Sequence, residues 1–315
     1  MQSIRVFTPA SIGNFIVGFD LLGAAIESDS RPLGDDLVVF ADPNQNIECS
    51  GEFSDLLPAH KENLIHVSER RFNKALQEQA IKPQKLSYQL TKHLPAGSGL
   101  GSSSASIVAS LYALNEWYQR PFNNKELLLM AAEVEGGNSG GKHFDNVAPA
   151  LFGGLQLINA EGEQPSIALP TFKNWHYAIC FPDIQITTKS AREILPKDVS
   201  LAASTTMQAR LAAFIAASYQ QDENSAHALL QDDVIEPCRS QLIPGFAQAK
   251  QACLDAGALS FGISGSGPTC FAITQDAAQA RTISELMLNK LGQGSRAFAC
   301  VAQLSEQGTR LVEEH

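Results

Sequence analysis

Apolar positions recur along this chain at two spacings that alternate from end to end. Ile4 to Thr8 alternates as a strand, Asp36 to Ala41 reads as a second, and Lys85 to Leu90 as a third. Glu62 to Ala80 is helical, with its charges on one side. Ile107, Leu111, Leu114 and Tyr118 fall on one stripe, so a loop and helix occupy residues 95–120; a second helix covers 125–135, and the glycine-rich run Gly136 to Gly141 stops it. Strands follow at Leu155 to Ile158 and Trp175 to Phe181. Helical patterns span 203–220, 224–234 and 240–256. Residues 260–273 are two apolar strands around a glycine turn, and a helix at 276–291 and a strand at 297–303 close the chain. This mixture predicts an α+β protein. The softest stretch is Asn159 to Pro165, which places a boundary between units 1–160 and 161–315.

Composition narrows the picture. The 315 residues are 44% hydrophobic and 18% charged, with a net charge of −10. Such a balance disfavours long-range attraction to DNA, RNA or anionic lipid. The sequence shows no charged-then-apolar leader and no apolar run near ~18 residues, so neither a membrane partner nor nucleic acid is expected, and the expected location is cytoplasmic. Six scattered cysteines without paired or zinc-ligand spacing fit reduced, mostly buried thiols.

The stretch with the most chemistry in it is Pro95-Ala-Gly-Ser-Gly-Leu-Gly-Ser-Ser-Ser-Ala105. Glycines at alternate positions let backbone approach a ligand closely, the serines can cap the following helix, and a helix N-terminus offers free N–H groups and a positive dipole end. Phosphate suits such a site. A Walker A loop is excluded because Gly141-Lys142 is followed by His143, and the G-x-G-x-G spacing differs from the dinucleotide fingerprint. A tight strand-to-helix turn without ligand is the bland alternative.

Three further stretches matter. In Pro9-Ala-Ser-Ile-Gly-Asn-Phe-Ile-Val-Gly-Phe-Asp20, Asn14 and Asp20 are polar within apolar surroundings and by themselves read as turn formers. In His143-Phe-Asp-Asn-Val-Ala-Pro149, imidazole, carboxylate and amide cluster, though a lone His is commonly structural. Ser264-Gly-Ser-Gly-Pro-Thr269 is a second glycine turn that could face the first or simply join two strands.

Together and in this order, the four stretches resemble the motifs of the GHMP small-molecule kinases, named for galactokinase, homoserine kinase, mevalonate kinase and phosphomevalonate kinase, and most nearly those of its homoserine kinase branch. The resemblance runs from about residue 4 to residue 303. Two departures are Gly13, where Ala is frequent in the family, and Ser104, where Ala is usual.

The resemblance implies a two-domain α+β fold, the first domain like ribosomal protein S5 domain 2 and the second ferredoxin-like, with a cleft between them; homodimers are common in the family. It implies ATP-dependent phosphorylation of the L-homoserine hydroxyl, a step toward threonine. It assigns the ATP phosphates to Pro95, Ala96, Gly97, Ser98, Gly99, Leu100, Gly101, Ser102, Ser103, Ser104 and Ala105, and Mg²⁺ to Ser103 and Glu135, with Glu133 the nearest rival acid. It assigns homoserine to Asn14, Asp20, His143, Thr188, Arg192 and Arg239. Physically, Asp20 can neutralise the ammonium while Arg192 and Arg239 fork onto the carboxylate. Asn146 stands where some relatives carry an Asp base; it accepts a proton poorly and Asp145 can brace the loop, so no dedicated general base is expected. Rival readings are a sister kinase acting on mevalonate, a non-catalytic sensor, and a serine hydrolase from Gly137-Asn-Ser-Gly-Gly141. The last fails because that stretch follows a helix rather than a strand.

Overall fold

A computed structural model describes residues 3–57, 62–139 and 143–312. In chain order the first half contains β1 (Ser3–Gly13), β2 (Leu22–Glu27), β3 (Gly34–Ala41), β4 (Ile47–Ser50), α1 (Leu64–Glu78), β5 (Leu86–Lys92), α2 (Ser102–Trp117), α3 (Asn124–Ser139), α4 (Val147–Phe152), β6 (Leu155–Ile158) and β7 (Ser166–Leu169). The second contains β8 (His176–Phe181), α5 (Thr188–Glu193), α6 (Leu201–Gln220), α7 (Glu223–Leu229), α8 (Glu236–Arg239), α9 (Phe246–Asp255), β9 (Ser260–Ile263), β10 (Cys270–Thr274), α10 (Ala277–Leu291), β11 (Phe298–Leu304) and β12 (Arg310–Leu311).

The strands are connected by hydrogen bonds in the order β4-β5-β3-β1-β2-β11-β8-β10-β9, with β6 added beside β2, β7 beside β6, and β12 beside β1. β4 and β5 are parallel; the other pairs are antiparallel. In the second half, β8, α9, β9, β10, α10 and β11 form a βαββαβ unit with sheet order β11-β8-β10-β9, the ferredoxin-like arrangement. The expected boundary at residue 160 falls in the connection between paired β6 and β7.

Three apolar cores position the site. One packs α1, α2 and α3 against β1, β3 and β5, with Val6, Leu37, Tyr88 and Leu90 meeting Ile107, Leu111 and Leu114. A second joins the halves: Phe15, from the connection after β1, lies against Tyr177, Phe214 and Phe271 at centroid distances of 6.2, 6.2 and 5.9 Å. The third buries Cys180, Cys253 and Cys270 beneath α9 and α10. Burial raises the Cys180 thiol to about 12 and the Cys253 thiol to about 11, as expected of inert core cysteines.

The structure corrects several expectations. β1 runs to Gly13, well beyond residue 8. The glycine run does not stop the second helix at 136, because α3 continues to Ser139; residues 140–142 lie outside the described residues. The pattern at 240–256 is broken into a 3-10 turn at Ser240–Leu242 and α9 from Phe246, and that at 224–234 ends at Leu229. No described helix is long and apolar enough to cross a membrane.

Candidate active site

β5 delivers the chain to the glycine loop and α2 carries it away. Gly97, Gly99 and Gly101 take φ of +69°, +81° and +67°, a region glycine enters without Cβ strain. The serines do not cap α2 as expected. The cap position is Gly101, without a side-chain bond; Ser102 Oγ donates to the Leu94 carbonyl, and Ser103 turns elsewhere. First-turn amides, which a helix leaves without internal partners, are therefore uncapped by side chains.

The second glycine turn faces the first. The Thr269 N–H donates to the Ser98 carbonyl at 3.0 Å, and Ser264 Oγ to the Gly99 carbonyl at 2.7 Å. A Cβ on Gly99 would lie 2.4 Å from the Ser264 carbonyl oxygen, so the fit between the two turns itself demands glycine. Beneath them, buried Lys92 donates to Asp35 Oδ2 (2.6 Å), the Ser102 carbonyl (2.7 Å) and Ser106 Oγ (2.8 Å). This brace was invisible in sequence, where the strand was read only as far as Leu90 and Lys92 carried no assignment.

A cavity of about 740 Å³ opens beside the loop. Ala96, Gly97, Ser98, Gly99, Gly101, Ser102, Ser103 and Ser104 line it. Pro95, Leu100 and Ala105 do not: all three are buried, and Leu100 and Ala105 pack in the second core. Leu57, Glu62, Asn63 and Leu64 form another part of the wall that sequence reasoning did not assign. A polar cap residue, Asn63, at the start of α1 was their only signal.

Ser103 Oγ donates to Glu135 Oε1 at 2.8 Å. Burial raises the Glu135 carboxyl, while Ser103 and the charge of Lys92 oppose the rise. Its rival Glu133 is exposed and pairs with Arg71 at 2.6 Å, away from the cavity. A hydroxyl and a carboxylate beside a phosphate-type loop are hard oxygen donors that fit Mg²⁺, and the charge penalty that burial imposes on Glu135 is what a bound cation would reverse.

The remaining residues converge elsewhere on the wall. Arg192 Nη2 donates to Asp20 Oδ1 and Oδ2 at 2.8 and 3.0 Å and to His143 Nδ1 at 3.0 Å. His143 Nδ1 must then accept, which requires the neutral ring; burial, and then Arg192, hold its pKa down. Arg239, 4% exposed, donates from Nη1 to the Gly265 carbonyl (2.7 Å) and from Nε to that of Ala191 (3.4 Å), with Phe19 5.1 Å below its guanidinium. No described residue uses its Nη2. Asn14 is committed to the scaffold: Nδ2 donates to the Gly265 carbonyl and Oδ1 accepts from the Asp20 N–H, both at 2.9 Å. Thr188 begins α5 on the cavity wall.

Asp145 and Asn146 lie between the two ends. Burial, followed by the nearby Asp20 charge, raises Asp145 to about 7. Ligand atoms of Asp20, His143 and Asp145 lie within 4.8 Å of one another. The Arg192 guanidinium already bonds two of the three, so this cluster is supplied with positive charge by the protein rather than built for a metal.

The chain is similar to known proteins. Residues 64–154 match the GHMP kinases N terminal domain and residues 214–292 the GHMP kinases C terminal domain. The chain is 40% identical over 311 residues to the homoserine kinase of Buchnera aphidicola subsp. Acyrthosiphon pisum (strain Tuc7), covering 98% of this chain and 99% of that one. A crystal structure of homoserine kinase from Cytophaga hutchinsonii ATCC 33406 superposes with a TM-score of 0.88 at 34% identity, covering 99% and 98% of the two chains. The L. major mevalonate kinase, solved with R-mevalonate, shares the fold at a TM-score of 0.65 and 17% identity, over 95% of each chain. With both domain signatures present and full-length identity at that level, the chain belongs to the homoserine kinases of the GHMP kinase family.

Proposed function

We propose that the protein transfers the γ-phosphoryl group of ATP to the side-chain hydroxyl of L-homoserine, giving O-phospho-L-homoserine and ADP. One observation carries the reading: a single cavity joins a glycine loop at a helix N-terminus to a carboxylate flanked by two guanidinium groups. The first suits a polyphosphate. The second suits a zwitterion: Asp20 takes the ammonium, and Arg192 and Arg239 take the carboxylate. Leu57, Asn63 and Leu64 are left for the nucleoside. Mevalonate has no ammonium to occupy Asp20, which disfavours the sister activity.

Phosphoryl transfer passes through a loose transition state, so alignment and charge neutralisation supply most of the rate. The homoserine oxygen forms the new P–O bond, and the bond from the γ-phosphorus to the oxygen bridging to the β-phosphate breaks, that oxygen leaving with ADP. The hydroxyl proton passes to an oxygen of the transferred phosphoryl group, with no dedicated side-chain base. Asn146 holds the reacting oxygens by hydrogen bonding. Ser103 and Glu135 would hold Mg²⁺, which when bound neutralises phosphate charge. We also propose units 1–160 and 161–315, a homodimer and a cytoplasmic location. The test is ADP release with L-homoserine and with mevalonate: turnover with homoserine alone is expected, and turnover with mevalonate alone overturns the reading.

A further inference from the structure

Asn146 occupies the N-cap position of α4, where an Asn side chain ordinarily accepts from a first-turn N–H. Here it makes no such cap. Its Oδ1 instead accepts from Ser11 Oγ at 2.8 Å, and its Nδ2 faces Asp145 Oδ2 at 3.3 Å. Ser11 is 1% exposed and does not line the cavity. Its backbone N–H donates to the Leu100 carbonyl at 3.1 Å, so one residue of β1 links the phosphate loop to the Asn146 amide.

Glycines make room for this carboxamide on both sides. A Cβ on Gly101 would lie 2.0 Å from Ser11 Oγ and 3.2 Å from Asn146 Oδ1; one on Gly13 would lie 2.6 Å from Asn146 Nδ2 and 2.5 Å from Asp145 Oδ2. The unusual Gly13 thus borders the amide directly. Rotating the amide by half a turn would set Oδ1 against an Asp145 oxygen, acceptor to acceptor whenever Asp145 is ionised.

We infer that Ser11 is a positioning residue: it holds the Asn146 carboxamide in one orientation, so that an N–H of Nδ2 is presented to the reacting oxygens. Ser11 touches neither substrate and acts only through Asn146. This rests on the proposed phosphoryl transfer, in which Asn146 meets the reacting oxygens.

A double-mutant cycle tests it. Ser11→Ala is expected to lower kcat roughly tenfold to a hundredfold, the scale of a misplaced reacting group, with KM for ATP and for homoserine changed less than about twofold. In an Asn146→Ala background, Ser11→Ala should cost nothing further. Multiplying losses in the double variant, or an unchanged kcat in Ser11→Ala, overturns the inference. If Ser11→Ala fails to fold, Ser11→Cys, which keeps the size and weakens the donor, is read by the same cycle and the same criteria. Turnover of homoserine by the unaltered protein separates the outcomes: its absence sinks the proposed function, whereas activity with a multiplicative cycle sinks only the role of Ser11.

Discussion

Arg192 and Asp20, 172 residues apart in sequence, are bonded to each other by Nη2 contacts of 2.8 and 3.0 Å to both carboxylate oxygens. Each partner was expected to meet a different end of homoserine. In the protein alone they satisfy one another, and the zwitterion must exchange this pair for two of its own.

That exchange makes substrate affinity depend on both halves. Asp20→Asn and Arg239→Ala should each raise the KM for homoserine by about one to two orders of magnitude, the scale of a charged hydrogen bond, with little change in the KM for ATP. Steady-state kinetics with each substrate varied in turn checks this, and the opposite split would reverse the assignment of the cavity.

Gly99 and Gly97 should respond differently. Both have positive φ, but a Cβ on Gly99 meets backbone of the second turn at 2.4 Å, whereas one on Gly97 meets only the Ile186 carbonyl at 3.4 Å. Gly99→Val should abolish measurable ATP binding by calorimetry. Gly97→Ala should cost about 1 kcal/mol, the ordinary penalty of placing Cβ in that region.

Lys92→Met leaves Asp35 buried without its cation and should destabilise the fold by about 3–5 kcal/mol in urea unfolding. Adding Asp35→Asn should recover part of the loss, since the orphaned charge is then gone. No recovery would mean that Lys92 contributes mainly through its bonds to Ser102 and Ser106.

Asp145 gives a pH signature. Its carboxyl ionises near 3.8 in an unfolded chain and near 7 in the folded protein, so the folded state holds the proton more tightly. Stability from this group is greatest below about pH 4, falls as pH rises toward about 7, and is then level. Asp145→Asn should flatten that slope in urea titrations. It should also retain turnover; loss of kcat with both ligands still bound would overturn the expectation that no dedicated general base is used.

For the metal, Glu135→Gln and Ser103→Ala should each raise the Mg²⁺ concentration for half-maximal activity by about tenfold, at the scale of one lost charged or hydroxyl ligand. Unchanged magnesium titrations in both variants would remove these residues from the metal site.

Much of this was legible in the chain. The glycine loop announced itself because left-handed backbone and close approach demand glycine at fixed spacing, and α2 because its large apolar side chains recur at helical spacing, although the helix is buried nearly all round. Errors fell where periodicity carries no information. Residues 136–139 remain helical despite two glycines, because the cost of a helical glycine is local to each residue and only about 1 kcal/mol, too little by itself to end a helix. Ser102 and Ser103 read as caps because capping is a local rule, yet Leu94 and Glu135 take their hydroxyls from other elements. Only the resemblance favoured Glu135 over Glu133; in the structure Glu135 bonds Ser103 while Glu133 pairs with Arg71.

The sequence by itself determined the α+β class, the phosphate-type loop, the scattered reduced cysteines and the set of charged side chains available to a zwitterion, because these follow from residue type and short-range spacing. Only the tertiary structure decided that Asp20 pairs with Arg192, that Lys92 braces α2 from below, and that Ser11 holds Asn146. Those contacts join residues tens to hundreds of positions apart, and a hydrogen bond acts over about 3 Å of space whatever the chain length between its partners.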